Sequence, residues 1–178
     1  MKVLLHSCCG PCASACVPRL KELGHEVAML FANSNIDTEE EFEKRRSAAE
    51  ALARAEGVDI AALPYDHEEW KREVAAGHEG DPEKGERCAR CFRYNLAKAA
   101  AYARKHGFEA FTTSLTVSPH KVSETVFAAS DDPMFLKENF KKREGFKRSL
   151  VRSAELGLYR QSYCGCEFSR ASSRPASA

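Results

Sequence analysis

Eight of the 178 residues are cysteines, and they fall into three short groups. A cysteine that only packs behaves as a small hydrophobe, so packing alone would scatter eight of them along the chain. Thiolates that share a metal or exchange disulfides must instead lie close together. The grouping therefore predicts metal or redox chemistry. The groups are Cys8, Cys9, Cys12 and Cys16, then Cys88 and Cys91, then Cys164 and Cys166.

The middle group has the spacing of a two-thiol motif. Cys88 and Cys91 are three residues apart near the start of a predicted helix, so both sulfurs share one face. The positive end of the helix dipole favours the thiolate form. A CxxC pair alone fits zinc, iron–sulfur or dithiol chemistry. A thioredoxin-like site does not fit, because this pair does not follow the first strand of a βαβ unit.

The first group places three thiols directly after a predicted strand. The adjacent Cys8 and Cys9 can bind one centre only if the following Gly-Pro turn reorients one of them. Four thiolates from the first two groups suit structural zinc or a [4Fe–4S] cluster. Zinc sites usually use two similar knuckles, so the unequal CC and CxxC spacings favour the cluster. Cys12 is open between packing and a direct role, and Cys16 is expected in the core.

The last group, Cys164-Gly165-Cys166, has a different spacing. A disulfide between its sulfurs would close a very small ring, depart from relaxed geometry and be easily reduced. We therefore expect a redox-active disulfide that delivers electrons. Two further metal ligands are the alternative interpretation.

Composition limits the class of protein. Lys plus Arg number 27 and Asp plus Glu number 26, which excludes a uniformly basic nucleic-acid binder. The residues before Cys8 are too few for a signal peptide, and no apolar run is long enough to span a membrane. We therefore expect a cytoplasmic protein, in which clustered thiols stay reduced. A local basic stretch could bind RNA or be a solvated helix face: Lys137, Lys141, Lys142, Arg143, Lys147, Arg148 and Arg152.

Predicted strands and helices alternate along the chain. Short apolar runs predict four strands, at 2–7, 26–32, 58–63 and 109–114. Helical periodicity predicts three long helices, at 12–23, 38–57 and 87–106. This order predicts an α/β fold, an open parallel sheet with helices on both faces. We expect a single domain at 1–169 and a disordered tail at 170–178.

Ligands of such sheets bind beyond the carboxyl ends of the strands, near a topological switch point. The sequence therefore predicts a site at this edge. Six polar or thiol residues fall there: Cys8, Cys9, Asn33, Asn35, Asp66 and Ser114.

Five segments together resemble the epoxyqueuosine reductase family QueH, and the resemblance covers Met1 to Arg170. They are HSCCGPCASAC, PEKGERCARCFRYNLAKAA, FTTSLTVSPHK, NFKKREGFKRS and LYRQSYCGCEFS. The resemblance implies a HUP-type sheet like that of the adenine nucleotide alpha hydrolases. It also implies reduction of the epoxide of epoxyqueuosine to the cyclopentene of queuosine at the wobble position of tRNA anticodons, the last step of queuosine biosynthesis.

The resemblance further implies a [4Fe–4S] cluster, with an additional mononuclear iron beside it. Four residues match the cluster ligands: Cys8, Cys9, Cys88 and Cys91. Cys164 and Cys166 match the redox-active pair, and Cys12 and Asp66 are further candidates for the additional iron. Asp66 is also a candidate catalytic residue. No P-loop is present, so the fold resemblance does not imply nucleotide hydrolysis.

Two positions depart from the family pattern. The segment usually written DFKK begins here with Asn139, and the usual NPN turn is Asn33-Ser34-Asn35. If a carboxylate at position 139 were essential, the reaction would be affected. Loss of the proline only loosens a turn.

Opening the epoxide requires two electrons, two protons and a Lewis acid at the oxygen. An iron centre can supply the electrons and hold the oxygen. Candidate proton donors are Tyr65, His6, His120 or a cysteine, although a histidine on a buried strand, such as His6, is more often a core residue. His120 and Lys121 could hold phosphate or the base, or only cap and solvate a helix.

The expected partners are tRNA carrying epoxyqueuosine and an unidentified electron donor, and a monomer is compatible with the sequence. The base must be splayed out and stacked. Candidate aromatic residues are Trp70, Phe92, Tyr94, Tyr159 and Tyr163. The candidate RNA-binding residues are Lys141, Lys142, Arg143, Arg160 and Tyr163. Two other functions stay open, a zinc-stabilised RNA-binding module and a persulfide-type tRNA sulfur-transfer enzyme.

Overall fold

The computed structural model describes residues 1–173. The sheet contains four parallel strands, β1 (Lys2–His6), β2 (Glu26–Phe31), β3 (Ile60–Ala62) and β4 (Ala110–Thr113). Their order in the sheet is β3-β2-β1-β4, which confirms the predicted fold class. The register places Leu4 of the first strand beside Ala28 and Phe111 of its two neighbours.

Seven α-helices accompany the sheet in the described part of the chain. They are α1 (Gly10–Glu22), α2 (Glu39–Glu56), α3 (His67–Trp70), α4 (Glu86–Lys105), α5 (Ser123–Ala128), α6 (Gly145–Glu155) and α7 (Glu167–Ser173). A π-helical turn, Lys71–Ala75, follows α3, and a 3-10 turn, Ser114–Val117, follows β4. No helix among these residues has the length and apolar character needed to cross a bilayer.

Both faces of the sheet are covered, as the alternation of side chains along β1 shows. Val3 and Leu5 belong to a core with α1 and α2, whereas Leu4 packs with the apolar stripe of α4. All three are fully buried. The two cores fix the strand register, because a slip by one residue would exchange the faces.

The helix ends have the capping residues that the sequence predicts, and their boundaries differ from the predicted ones by a few residues. Thr38 Oγ1 accepts a hydrogen bond from Glu41 N at 3.2 Å, and Gly57 ends α2 in the left-handed conformation. Helix α1 begins two residues earlier than expected, at Gly10. Residues 170–173 of the expected tail lie in α7. The remainder of that tail, 174–178, lies outside the described residues.

Candidate functional site

The site lies at the topological switch point of the sheet. Strands β2 and β3 lie on one side of β1, while β4 pairs with its other side. The residues that follow β1 and β4 therefore meet at their carboxyl ends. Cys8 N donates to Ser114 Oγ at 3.0 Å, and Ser114 Oγ donates to Cys8 Sγ at 3.2 Å. The sequence analysis placed both residues at this edge.

Three sulfurs of the first cysteine group lie together. The Sγ atoms of Cys8, Cys9 and Cys12 are within 4.8 Å of one another. Cys9 is the N-cap of α1, and its Sγ accepts a hydrogen bond from Cys12 N at 3.3 Å. This cap explains the early start of the helix and brings Cys12 to the group. A Cβ on Gly10 would lie 2.7 Å from Ala48 O, so glycine permits the close approach of α1 and α2.

These three thiols lie so close together that three negative charges on them would repel one another strongly. Hydrogen bonds from Cys12 and then Cys8 hold the pKa of the Cys9 thiol well below its ordinary value. Hydrogen bonds to Cys8 and Cys9, followed by burial, raise the pKa of Cys12 well above its ordinary value. Negative charge therefore concentrates on one sulfur. A bound metal would supply the positive charge that keeps several thiolates together.

All three cysteine groups contribute to one cavity of about 420 Å³. Cys88 and Cys91 lie in the first two turns of α4, close to their predicted place on a helix start. Cys16 is fully buried in the core, as expected. Among the described residues, six cysteines line the cavity: Cys9, Cys12, Cys88, Cys91, Cys164 and Cys166.

Hydrogen-bond donors surround the sulfurs of α4. Trp70 Nε1 lies 3.4 Å and Asn95 Nδ2 lies 3.8 Å from Cys91 Sγ, and Lys84 N lies 3.3 Å from Cys88 Sγ. Burial raises the pKa of the Cys91 thiol, which without a metal favours its protonated form. Donors of this kind stabilise thiolate ligands and help to set the potential of iron–sulfur clusters. The donors fit a thiolate-bound metal centre.

The CGC segment is held by the residues around it. A Cβ on Gly165 would lie 2.8 Å from Asn35 Nδ2, and Gly165 O accepts a hydrogen bond from Asp37 N at 2.9 Å. The guanidinium of Arg45, which is 1% exposed, donates to Cys164 O at 2.7 Å and pairs with Glu41 Oε1 at 2.7 Å. These contacts therefore hold the backbone of Cys164 and Gly165 in place.

Lys121 lies beside this segment. Its Nζ donates to Cys164 Sγ at 3.2 Å, and its carbonyl accepts a hydrogen bond from Lys141 Nζ. Burial opposes the charged form of Lys121, but the neighbouring sulfurs of Cys164 and Cys8 outweigh burial and raise its pKa. Lys121 thus keeps its positive charge at the cavity wall. Burial lowers the pKa of Lys141, whose ammonium group also donates to Ser123 Oγ at 3.1 Å.

Several candidate residues lie away from the cysteine cavity. Asp66 caps α3 through a hydrogen bond from Glu69 N to Oδ1 at 2.8 Å, and it lines a second cavity of about 400 Å³. Tyr65 lines the same cavity, where its hydroxyl donates to Ile36 O. The placement of Asp66 does not support its expected role as a ligand of an additional iron.

The buried strand residue His6 is part of the core. Its ring nitrogens lie 2.9 Å from Thr113 Oγ1 and 3.2 Å from Ala32 O, and burial lowers its pKa. His120 lines the cavity and remains a candidate proton donor. Asn139 Oδ1 accepts from Lys141 N at 3.1 Å, a contact for which an amide oxygen serves as well as a carboxylate.

The basic stretch is only partly free. The three side chains Lys147, Arg148 and Arg152 contact Glu144, Glu22 and Glu56. Lys142 and Arg143 are exposed. Arg160 lines the cavity and donates to Ser153 Oγ at 2.7 Å.

The aromatic candidates fall into two groups. Trp70, Phe92 and Tyr163 line the cavity. Tyr94 and Tyr159 donate their hydroxyl hydrogens to Glu69 and Glu41 and do not line it. Within the first group, Trp70 and Phe92 are buried, and the half-buried Tyr163 can offer a stacking surface beside the sulfurs.

Arg45 is a site residue that the sequence analysis missed. It falls at helical spacing with Phe42, Ala49 and Leu52, so a charged residue interrupts the apolar stripe of α2. A charged residue on the apolar face of a helix predicts a buried side chain with polar contacts, so the sequence did contain this information. Gln161 was also missed; it lines the cavity, and its buried Oε1 has no hydrogen-bond partner.

Comparisons with known proteins find one family along nearly the whole chain. The family model described as epoxyqueuosine reductase QueH matches residues 3–172. The epoxyqueuosine reductase QueH of Streptococcus pyogenes is 34% identical over 178 residues, covering 93% of this chain and 69% of that protein. Relatives of the same name from Acinetobacter baylyi and Thermotoga maritima are 35% and 33% identical, over 94% of this chain and 80% and 89% of theirs. The chain belongs to the epoxyqueuosine reductase QueH family.

Proposed function

We propose that this protein reduces epoxyqueuosine in tRNA to queuosine, as a thiolate-bound iron–sulfur oxidoreductase. The observation that carries the proposal is the meeting of three sequence-distant cysteine groups in one cavity at the switch point of the sheet. Family membership supports the reaction class. The cavity supports the chemistry, because its donors are thiols rather than the carboxylates that a hard cation prefers.

The proposed reaction removes the epoxide oxygen as water and leaves a carbon–carbon double bond. Two electrons and two protons enter the substrate. Oxidation of Cys164 and Cys166 from two thiols to one disulfide releases the same two electrons and two protons. Both sulfurs line the cavity, so the pair can balance one turnover before an external donor reduces it again.

The cluster would be held by Cys8 and Cys9 from the strand end and by Cys88 and Cys91 from α4. When bound, it would supply single-electron transfer and a Lewis acid at the epoxide oxygen. The protein residues fix its surroundings: Trp70 and Asn95 donate to the Cys91 sulfur, and Ser114 donates to that of Cys8. The sulfur of Cys12 lies close enough to take part in a further metal contact.

The tRNA would be bound through the rim of the same cavity. Five basic side chains line it, against one acidic side chain, Glu83: Lys84, Arg87, His120, Lys121 and Arg160. A positively charged opening attracts the phosphates of an anticodon loop. Tyr163, which is half-buried and lies beside the sulfurs, is a ring on which a base turned out of the loop could stack.

Replacement of Cys88 tests the metal assignment. Anaerobically purified Cys88→Ala should lose most of its iron and acid-labile sulfide, because one of four ligands is missing. Cys16→Ala is the matched control, since its thiol is fully buried in the core, and it should keep both. Full iron and sulfide in Cys88→Ala would contradict the assignment. Zinc without iron in the wild-type protein would instead support a zinc-stabilised module.

Conversion of the substrate tests the reaction. Wild-type protein with a chemical reductant under anaerobic conditions should convert epoxyqueuosine-tRNA to queuosine-tRNA, measured by mass spectrometry of the released nucleosides. Cys88→Ala should lose this conversion, and Cys16→Ala should retain it. Transfer of labelled sulfur to the RNA without loss of the epoxide would indicate a sulfur-transfer enzyme instead.

A further inference from the structure

The two sulfurs of the CGC segment have different surroundings. Cys164 is exposed, and its Sγ accepts a hydrogen bond from Lys121 Nζ at 3.2 Å. Cys166 is half-buried and packs against the apolar cluster of Trp70 and Val74. A thiol that approaches from solvent therefore meets the sulfur of Cys164 first, and access is one of the factors that decide which sulfur is attacked.

Both sides of the contact between Cys164 and Lys121 are fixed by other residues. Arg45 donates to Cys164 O at 2.7 Å, and Ser169 Oγ accepts from Cys164 N at 3.0 Å. The carbonyl of Lys121 is bound by the ammonium group of Lys141. The difference between the two sulfurs is thus part of the folded structure.

We propose that Cys164 is the sulfur through which an external dithiol reductant reduces this pair, and that Lys121 is a positioning residue for that exchange. The proposal rests on the redox function proposed above for Cys164 and Cys166. It adds a direction: the electron donor docks on the side of Cys164, while Cys166 faces the interior of the site.

The exchange has two balanced steps. A thiolate of the reductant attacks Cys164 Sγ, the bond between Cys164 and Cys166 breaks, and Cys166 leaves as a thiolate that takes up a proton. The second thiolate of the reductant then attacks the reductant sulfur that is bonded to Cys164. Cys164 leaves as a thiolate and is protonated in turn. The reductant becomes a disulfide, and the pair gains two electrons and two protons.

Lys121 acts in the second step. Negative charge develops on Cys164 as it leaves, and a cationic donor at hydrogen-bonding distance stabilises that charge. Cys166 lies against apolar side chains, so leaving-group stability does not favour attack at Cys164 in the first step. Access to the sulfur decides that step, and the ammonium group assists the next one.

Alkylation rates test the role of Lys121. The full-length, metal-loaded and reduced protein is treated with iodoacetamide at fixed pH, and the tryptic peptide 161–170 is sequenced by mass spectrometry. Cys164 should react about tenfold faster than Cys166, given its exposure and cationic neighbour. Lys121→Met should slow Cys164 about fivefold, the size of one partly exposed charge contact, while Lys121→Arg restores most of the rate. Lys105→Met, an exposed lysine at the far end of α4, is the control and should change neither rate.

Formation of mixed disulfides tests the role of Cys164 directly. With oxidised glutathione as the probe, Cys166→Ser should form an adduct at Cys164 about tenfold faster than Cys164→Ser forms one at Cys166. Equal or reversed rates, or a Cys164 alkylation rate unaffected by Lys121→Met, would overturn the inference. Failure of the wild-type pair to form a disulfide during single turnover of the substrate would instead overturn the proposed redox function. The two failures are therefore distinguishable.

Discussion

At the residue scale, the chemistry of the site depends on sulfurs whose neighbours differ. Cys9 caps a helix, Cys91 accepts hydrogen bonds from an indole and an amide, and Cys164 faces an ammonium group. Each neighbour changes the stability of negative charge on its sulfur. Identical side chains can therefore serve as ligands at one place and as an exchangeable pair at another.

Replacement of Cys166 separates these two roles. Cys166→Ser should keep its iron, sulfide and cluster absorbance, because Cys8, Cys9, Cys88 and Cys91 remain. It should fail in multiple-turnover conversion of epoxyqueuosine-tRNA, since no disulfide can form. If iron falls together with activity, Cys166 is a metal ligand; if neither changes, the pair has no part in turnover.

The sequence predicted that the cysteine groups would share one site, but it did not predict every side chain that contacts their sulfurs. Paired spacing identified Cys88 and Cys91, because that spacing is local. Asp66 was assigned to the site from its position after a strand, yet it caps a helix beside another cavity. Contacts such as that between Lys121 and Cys164 join residues 43 positions apart, and no local pattern encodes them.

At the scale of elements, the site is built where helices begin against the sheet. Helix α1 starts at the cysteine group after β1, and the first turns of α4 carry the CxxC pair. The strands, α1, α2 and α4 could be predicted because each has a clear apolar period and recognisable ends. Helices α5 and α7 were not predicted, since they have only six and seven residues. A helix face was one of two interpretations of the basic stretch, and the helix found there, α6, leaves Leu150 and Val151 exposed.

A change at Gly10 tests how strongly the packing of α1 positions the cysteines. Gly10→Ala places a methyl group 2.7 Å from Ala48 O on α2, so the two helices must separate. We expect a loss of about 1 to 3 kcal/mol in stability, the usual cost of overpacking, together with weaker iron retention. Thermal unfolding and iron analysis measure both effects. The control is Gly80→Ala, where a Cβ meets nothing within 4 Å; equal stability of the two variants would contradict the expectation.

At the scale of the whole molecule, charge is nearly balanced but unevenly placed. The cavity rim is basic, whereas Arg148 and Arg152 on α6 pair with Glu22 and Glu56. Composition could predict only that a basic patch would be local. The location of the patch depends on which cationic side chains form ion pairs with carboxylates. These pairs join segments that are distant in sequence, so composition cannot predict them.

The exposed cations before α6 should therefore contribute to tRNA binding. Neutralising Lys142 and Arg143 together should lower the slope of log affinity against log salt by about 1.4 to 1.8, the release expected for two phosphate contacts. The matched control is the double variant Arg148→Gln and Arg152→Gln, whose cations already face carboxylates, and its slope should stay near that of the wild type. An unchanged slope for the first variant would instead support the interpretation of this segment as a solvated surface that does not bind RNA.

The chain contains a single tryptophan, and that residue is Trp70. Its indole is 1% exposed and hydrogen-bonded to Cys91 Sγ at 3.4 Å. An absorbing metal centre at that sulfur would quench the fluorescence of the indole almost at contact. The tryptophan fluorescence of the protein would then rise as oxygen or a chelator removes the centre. Fluorescence of an unlabelled sample would therefore report the fraction of protein that holds the cofactor.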